Sequence, residues 1–309
     1  MTAPPAPDTR YPADSVGGLI VAITGRLART GAEAPRLDAR VLVAHVLDRD
    51  QGWLAGHPEA AVDAARLDRL EALVRRREAR EPVAYLTGGR EFWSLEFEVT
   101  PATLIPRPDS ETLIAEALKF CAARDAAPRI LDLGTGSGCL LVTLLSELPA
   151  ALGVGTDISD AALGVAADNA ARHGVQGRAE FRRGDWLEDG ALADAGRFDL
   201  VIANPPYIGA SEIAGLAPDV AEFEPLGALA AGTDGLDAYR RIAPGLAGVL
   251  APDGRFIGEF GVGQADRVAG ILAAAGLRVI GVHADLGGRQ RCVSAGIQGF
   301  AAGSKKGLE

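Results

Sequence analysis

Phe198-Asp199-Leu200-Val201-Ile202-Ala203, followed at once by Asn204-Pro205-Pro206-Tyr207, is the stretch on which the fold turns. Its first six residues are apolar and rich in β-branched side chains, and the two prolines stop them, so they read as a short buried parallel strand. The next four then sit at the carboxyl end of that strand, where open α/β sheets place their ligands. They offer a side-chain amide, backbone carbonyls held by proline rings and an aromatic face. That set suits capture of a planar amide or amine. Alone, the same four residues read equally well as a stiff turn with a tyrosine over the core.

Strands and helices alternate on either side of this stretch. Arg129–Leu133, Leu152–Thr156, Glu180–Arg183 and Arg255–Phe260 read as strands. Cys139–Leu148, Asp160–His173, Leu236–Leu250 and Gln264–Ala275 read as helices, with Pro244 a kink or break in the third. Arg278–Ala284 and Gln290–Ala295 are expected to pair through Leu286-Gly287-Gly288 as a terminal hairpin. Repeated β-α units imply an α/β fold built on a mainly parallel, doubly wound sheet.

Upstream, residues 1–14 read as disordered and residues 15–84 as a small helical domain. Apolar stripes run through Ile20, Ile23 and Leu27, through Leu37, Val41, Ala44 and Leu47, and through Leu67, Leu70 and Val74. Gly52 to Pro58 separates the last two, and Pro82 ends the block. Phe92-Trp93-Ser94-Leu95-Glu96-Phe97-Glu98-Val99 alternates as a strand does, inside a hairpin-like connector spanning 85–108. Leu104-Ile105-Pro106-Arg107-Pro108 is stiff and non-helical, and Asp109 or Ser110 caps the helix that follows. The sheet domain occupies 109–300, and 301–309 reads as a flexible tail.

The chain of 309 residues carries a formal charge of −10 over both signs, which repels a phosphate backbone unless a basic patch compensates. Arg75-Arg76-Arg77 lies among Glu71, Glu78 and Glu81 and reads as a solvated helix face. Cys121, Cys139 and Cys292 are too widely spaced for a metal finger or a disulfide framework, and the four histidines form no ligand pair at helical spacing. No metal is expected. No signal peptide is legible, and no apolar run approaches the roughly 20 residues that span a bilayer, so a cytoplasmic protein is expected.

Asp132-Leu133-Gly134-Thr135-Gly136-Ser137-Gly138 follows one strand and opens a helix, where glycines let the backbone approach a ligand. Cys139 occupies the sixth position, where a dinucleotide fingerprint wants glycine, and no Lys-Ser or Lys-Thr follows to cradle a phosphate. Asp132 adds a negative charge that opposes a pyrophosphate and suits a cationic amino group. Asp157, with Ile158 after it, ends the next strand about 20 residues on, where an acidic side chain reaches ribose hydroxyls. Asp185-Trp186 ends the third, and a carboxylate beside an indole can bond and cover a purine. Singly, Asp157 and Asp185 read as well as helix caps or turn residues. Together, all at strand carboxyl ends, they fit S-adenosylmethionine better than NAD.

With these residues in place the chain resembles the class I S-adenosylmethionine-dependent methyltransferases, and more specifically the N5-glutamine methyltransferases of peptide-chain release factors. The likeness covers nearly the whole chain. Its most specific parts are Glu81-Pro82 through Gly88, Glu91-Phe92-Trp93, Leu104 to Pro108, the 132–138 loop, Asn204 to Ile208, and Glu224-Pro225 followed by Asp234-Gly235-Leu236. Ala230-Ala231-Gly232 departs from it, where a more glycine-rich stretch is expected. The resemblance implies a seven-stranded methyltransferase sheet beside the helical domain and hairpin connector. It implies methyl transfer from S-adenosylmethionine, leaving S-adenosylhomocysteine, to the side-chain amide nitrogen of the glutamine in a Gly-Gly-Gln motif. The partners implied are class I release factors, with no direct DNA binding, no membrane and a monomeric enzyme. On this reading Asp132, Gly134, Thr135, Gly136, Ser137, Gly138, Asp157, Ile158, Asp185, Trp186 and Asn204 bind cofactor. Asn204, Pro205, Pro206 and Tyr207 bind substrate, and Asn204, Pro205 and Tyr207 act in catalysis. The helical domain supplies a docking surface for the factor. The alternatives are a nucleic-acid exocyclic-amine methyltransferase, which the acidic balance disfavours, a small-molecule methyltransferase, and a module that only binds the cofactor.

Overall fold

A computed structural model describes residues 12–124, 126–188 and 190–298. The chain divides into two compact units. One ends at Gly89 and takes in Ala217–Phe223; the other holds Arg90–Leu216 and the chain from Glu224 onward. The expected disorder of residues 1–11 and the expected tail of 301–309 fall outside the described residues. Residues 12–14 form a turn, with the Ser15 amide donating to the Pro12 carbonyl at 3.1 Å.

The first unit is helical: α1 (Val16–Ala28), α2 (Pro35–Leu47), α3 (Gln51–Gly56), α4 (Ala64–Glu78) and α5 (Val83–Thr87). Ile23, Leu27, Leu70 and Val74 meet in one core, so the first and third stripes seen in the sequence are packing surfaces. The second is misplaced: α2 turns Ala39, Leu42, Val43 and Val46 inward with Ala44, whereas Leu37 is exposed. Two further expectations are corrected here. Gly52 to Pro58 is expected as a separator, but Gln51–Gly56 forms a turn and a half of helix, because the Asp50 carboxylate caps it by accepting from the Trp53 amide at 2.6 Å. Pro82 was read as a stop but opens α5, since a proline at a helix start gives up only an amide that would be unpaired anyway. Arg77 is buried and pairs with Asp38 at 2.8 Å and with Asp219 at 3.5 Å.

The second unit begins with a hairpin, β1 (Gly89–Phe92) and β2 (Leu95–Glu98). Phe92 to Val99 is therefore not one strand. Trp93 and Ser94 take φ of 53° and 61° in a two-residue turn, a conformation that usually wants glycine or asparagine. Carboxylates hold it: Glu111 accepts from the Trp93 amide at 3.1 Å and Glu91 from the Ser94 amide at 2.7 Å. A 3₁₀ turn (Pro108–Ser110) leads into α6 (Glu111–Ala122). The order then runs β3 (Arg129–Leu133), α7 (Cys139–Glu147), β4 (Leu152–Asp157), α8 (Asp160–Arg172), β5 (Ala179–Arg183) and β6 (Phe198–Ala203). Two short helices follow, α9 (Ala210–Ile213) and α10 (Pro218–Ala221), the latter within the first unit. The chain ends with α11 (Asp237–Val249), β7 (Leu250–Glu259), α12 (Ala265–Ala274), β8 (Leu277–Ala284) and β9 (Gln290–Ile297).

The seven strands form one sheet in the order β5-β4-β3-β6-β7-β9-β8. β5 through β7 pair in parallel, and β9 joins β7 and β8 antiparallel as the expected hairpin. Leu131, Leu133, Val201 and Ala203 face α11 and α12, whereas Ile130, Leu200 and Ile202 face α6 and α7. Burial on both faces is why these strands read as unbroken apolar runs. Pro244 does not break the helix; α11 runs through it. β7 starts at Leu250, earlier than expected, because a register shift between Phe198 and Leu200 accommodates Pro252 and Gly254. Among the described residues no helix is long and apolar enough to cross a membrane.

Asn169, in the last turn of α8, is fully buried and ties three segments together. Its Nδ2 donates to the carbonyls of Glu98 at 3.0 Å and Ser137 at 2.9 Å, and its Oδ1 accepts from the Glu98 amide at 2.8 Å. Replacing it with alanine strands all three backbone groups, at about 1–3 kcal/mol for each buried group left unpaired. Asn169→Ala should lose about 3 kcal/mol or more of stability in urea unfolding; a loss below about 1 kcal/mol would show that water satisfies these groups instead.

Candidate active site

Parallel pairing sets the ends of β3, β4 and β6 side by side. Leu133 lies opposite Thr156 and Ala203, so the chain leaves the sheet along one edge. A cavity of about 450 Å³ opens there. Its wall includes Gly134, Thr135, Gly136, Ser137, Asp157, Ile158, Asp185, Trp186, Asn204 and Pro206. Ten of the residues picked from sequence thus meet around one hollow, although they come from four separate segments. Ala102, Thr103, Leu104, Pro106, Arg107 and Ser110 add a further side from the stiff segment before α6.

The loop is held from behind and beneath. Gly134 has φ +70°, and a Cβ there would stand 3.1 Å from the Trp186 indole, so only glycine lets the indole lie against the loop. Asp157 accepts from the Gly136 amide at 2.9 Å and from the Ser159 amide at 2.9 Å, which leaves each oxygen a second lone pair. Asp185 pairs with Arg241 at 2.8 Å, and Arg241 also pairs with Glu188 at 2.5 Å. Arg107 pairs with Glu224, whose other oxygen accepts from the Ile105 amide at 3.1 Å. Both arginines on the wall are therefore already matched by carboxylates, which leaves little for a phosphate to claim.

Four residues chosen from sequence do not lie on the wall: Asp132, Gly138, Pro205 and Tyr207. Asp132 was expected to present a charge to the ligand. Instead it is fully buried under the loop, accepting from the Thr135 hydroxyl at 2.7 Å. Burial pushes its pKa up to about 7, aided by the nearby charge of Asp157 and opposed by the Thr135 hydroxyl. Its place is structural, bracing the loop. Pro205 is buried, and among the described residues no hydrogen bond reaches its carbonyl.

Tyr207 is held behind the wall. Its hydroxyl donates to Glu259 at 3.3 Å, and its carbonyl accepts from the Gln264 side chain at 2.9 Å. Gly235 packs on that carbonyl so closely that a Cβ would stand 2.4 Å from it. Ile208 pairs with Leu229 and Ala231 at 3.0 and 2.9 Å, so Asn204 to Tyr207 is anchored at both ends. The departure at Ala230-Ala231 leaves this pairing in place.

Two further residues were not picked from sequence. Ser110, read as a helix cap, makes no cap bond. Its hydroxyl donates to Glu259 Oε2 at 2.6 Å and accepts from Asn204 Nδ2 at 3.0 Å. Asn204 Oδ1 accepts no hydrogen bond among the described residues. Glu259 is fully buried at the end of β7, and burial pushes its pKa up to about 7, opposed by the Ser110 hydroxyl, Arg291 and the Tyr207 hydroxyl. The available signal was a lone acidic residue closing an apolar strand, the same position as Asp157.

Comparison with known proteins bears on the family and the fold. Residues 19–88 match the PrmC N-terminal domain, and residues 124–262 match a methyltransferase domain. A release factor glutamine methyltransferase of Rhodospirillum rubrum is 46% identical over 270 residues, covering 87% of this chain and 81% of that protein. One of the same description from Cereibacter sphaeroides is 48% identical over 276 residues, covering 87% and 94%. Among solved structures, the hMettl16 catalytic domain superposes with a TM-score of 0.54 at 15% identity, covering 78% of this chain and 84% of that one, a likeness of fold.

The raised carboxyls of Asp132 and Glu259 have a consequence for stability. Each binds its proton more readily in the folded chain than in the unfolded one. The stability this contributes is fully present below about pH 4 and is lost as pH rises through about 7. Asp234, held down to about 2 by Arg240, acts oppositely, and its contribution is lost only in strong acid. Urea unfolding should therefore show lower stability at pH 8 than at pH 6, and Glu259→Gln should shrink that difference. A stability that rises from pH 6 to pH 8 would contradict the assignment.

Proposed function

The chain belongs to the release factor glutamine methyltransferase family, and from that membership we propose that its cavity holds S-adenosylmethionine while the glutamine of a Gly-Gly-Gln motif enters beside Asn204. The partners on this reading are class I peptide-chain release factors, and the setting is the cytoplasm.

The residues fit the cofactor. The glycine loop and the Trp186 indole both line the cavity, offering backbone and a flat ring to a purine, and Asp157 retains lone pairs for ribose hydroxyls. The paired state of Arg107 and Arg241 disfavours a pyrophosphate. When bound, S-adenosylmethionine supplies a methyl carbon made electrophilic by a positively charged sulfur.

An amide nitrogen is a poor nucleophile, because its lone pair is delocalised into the carbonyl. The protein's task is to orient that nitrogen and to favour positive charge on it. Asn204 Oδ1 accepts one hydrogen of the substrate amide, and the Pro205 carbonyl accepts the other. Two fixed acceptors stabilise the charge that develops, and little has to reorganise. Tyr207, behind the wall, braces the segment through its hydroxyl bond to Glu259 and its carbonyl bond to Gln264. Once methylated, the nitrogen is acidic enough to lose its proton to water, so no histidine or other strong base is assigned.

The observation that carries this reading is the Asn204 amide, whose nitrogen is committed to Ser110 and whose oxygen has no partner among the described residues. The test is incubation with labelled S-adenosylmethionine and a purified release factor, followed by mass mapping. Label should fall on the glutamine of Gly-Gly-Gln. Asn204→Ala should lower kcat at least about 100-fold while retaining most cofactor binding. Label elsewhere, or full turnover by the variant, would overturn the reading.

A further inference from the structure

The geometry points to Glu259 as a positioning residue that decides which way the Asn204 carboxamide faces, acting through the Ser110 hydroxyl. This rests on the reading in which Asn204 accepts a hydrogen from the substrate amide.

The pairing of β6 with β7 brings these residues together. Ala203 lies opposite Gly258, so Asn204 and Glu259 leave adjacent strands at the same level. Ser110 stands between them, 2% exposed, with Glu259 fully buried. An ionised carboxylate has no hydrogen to give. The single Ser110 hydrogen therefore goes to Glu259 Oε2, at 2.6 Å. What Ser110 has left is lone pairs, and only the NH₂ end of Asn204 can use them, at 3.0 Å. Oδ1 is thereby turned away from Ser110 and stays available as an acceptor. The flipped amide would set one acceptor against another in a buried place, losing a hydrogen bond and adding repulsion. The same carboxylate receives the Tyr207 hydroxyl at 3.3 Å, so one group orients two neighbours of the substrate.

A plain structural role does not account for a carboxylate here. Burying a charge is costly unless a cation contacts it. The nearby Arg291 instead pairs with Asp109 at 2.9 Å and Asp285 at 3.5 Å. Glutamine would fill the same space at lower cost, but it could donate to Ser110. The Ser110 hydrogen would then be free to go to Asn204 Oδ1, and the carboxamide would turn its NH₂ toward the substrate NH₂. What distinguishes the acid is its inability to donate.

The titratable and charged groups around this carboxyl are Asp109, Tyr207, Tyr239, Arg291, Cys292 and Cys139. As pH falls through about 7, Glu259 gains a proton and with it the capacity to donate. Wild-type kcat should therefore fall on acidification with a midpoint near 7, and a variant lacking the carboxyl should not follow that curve.

The experiment compares wild type, Glu259→Gln and Ser110→Ala in the full-length protein. Two quantities are read: kcat on a purified release factor, and solvent exchange of the Asn204 side-chain amide protons by ¹⁵N NMR. Glu259→Gln should lower kcat about 100-fold with cofactor Kd unchanged, and its acid limb should vanish. The Asn204 amide protons, protected by Ser110 in wild type, should exchange fast in both variants. A Glu259→Gln enzyme within about threefold of wild-type kcat, or one whose Asn204 protons stay protected, overturns the proposal. Failure of the wild type to methylate the factor would count against the function reading, and the exchange measurement would still decide the orientation.

Discussion

Parallel pairing of β6 with β3 stops at Ala203 opposite Leu133, and the residues given chemical roles begin one step beyond that pair. The strand ends are buried on both faces, so their position cannot drift without exposing Leu131, Val201, Ile130 or Ile202. Fixed strand ends fix two loops at once. One is the glycine turn over Asp132, the other the Asn204 to Tyr207 segment. Their separation is set by the spacing of adjacent strands, a property of the backbone. This is how a fold shared with proteins of low identity can hold a specific site: the sheet supplies an edge, and a few side chains along it supply the reaction.

Along that edge the decisive property is the direction of hydrogen bonds. Carboxylates accept, and in this molecule they are used where a direction must be imposed. Glu111 and Glu91 hold the amides of a strained turn. Asp157 holds the Gly136 amide of the loop. Glu259 takes the Ser110 hydrogen and so leaves Asn204 a single way to face. Each replaces a mobile arrangement with a fixed one before any ligand arrives, which is the condition under which dipoles are most effective against charge that develops during reaction. Burial shifts Asp132 and Glu259 upward in pKa, against the hydrogen bonds they accept.

Much of this was legible in the sequence, for a local reason. β3, β4, β6 and the glycine loop announce themselves through short apolar runs and positive-φ residues, both nearest-neighbour properties. Most of the ten wall residues followed from one topological rule about strand ends, and the rest, Ile158 among them, from the family resemblance. What escaped depends on distant partners. The turn at Trp93-Ser94 is held by Glu111, which lies beyond the hairpin. The role of Asp132 was misread because its burial comes from the packing beneath the loop, and exposure cannot be read from a run of letters. Ser110 carried a plausible local explanation as a cap, and its true partner is Glu259, 149 residues away. No spacing rule connects them; they meet only because the start of α6 packs against the end of β7.

Family membership makes the protein a release factor glutamine methyltransferase relative over nearly its full length, and the site supplies a physical account of how such a reaction is oriented. That account is a rigid pair of oxygens, Asn204 Oδ1 and the Pro205 carbonyl, holding a carboxamide with its nitrogen toward the glycine loop. The most direct measurement is a crystal structure of the protein with S-adenosylhomocysteine and a peptide bearing Gly-Gly-Gln. The account predicts both oxygens within about 3 Å of the glutamine Nε2, with Ser110 still bridging Asn204 and Glu259. A glutamine bound with its own oxygen toward Asn204, or seated away from the Asn204 to Tyr207 segment, would contradict it.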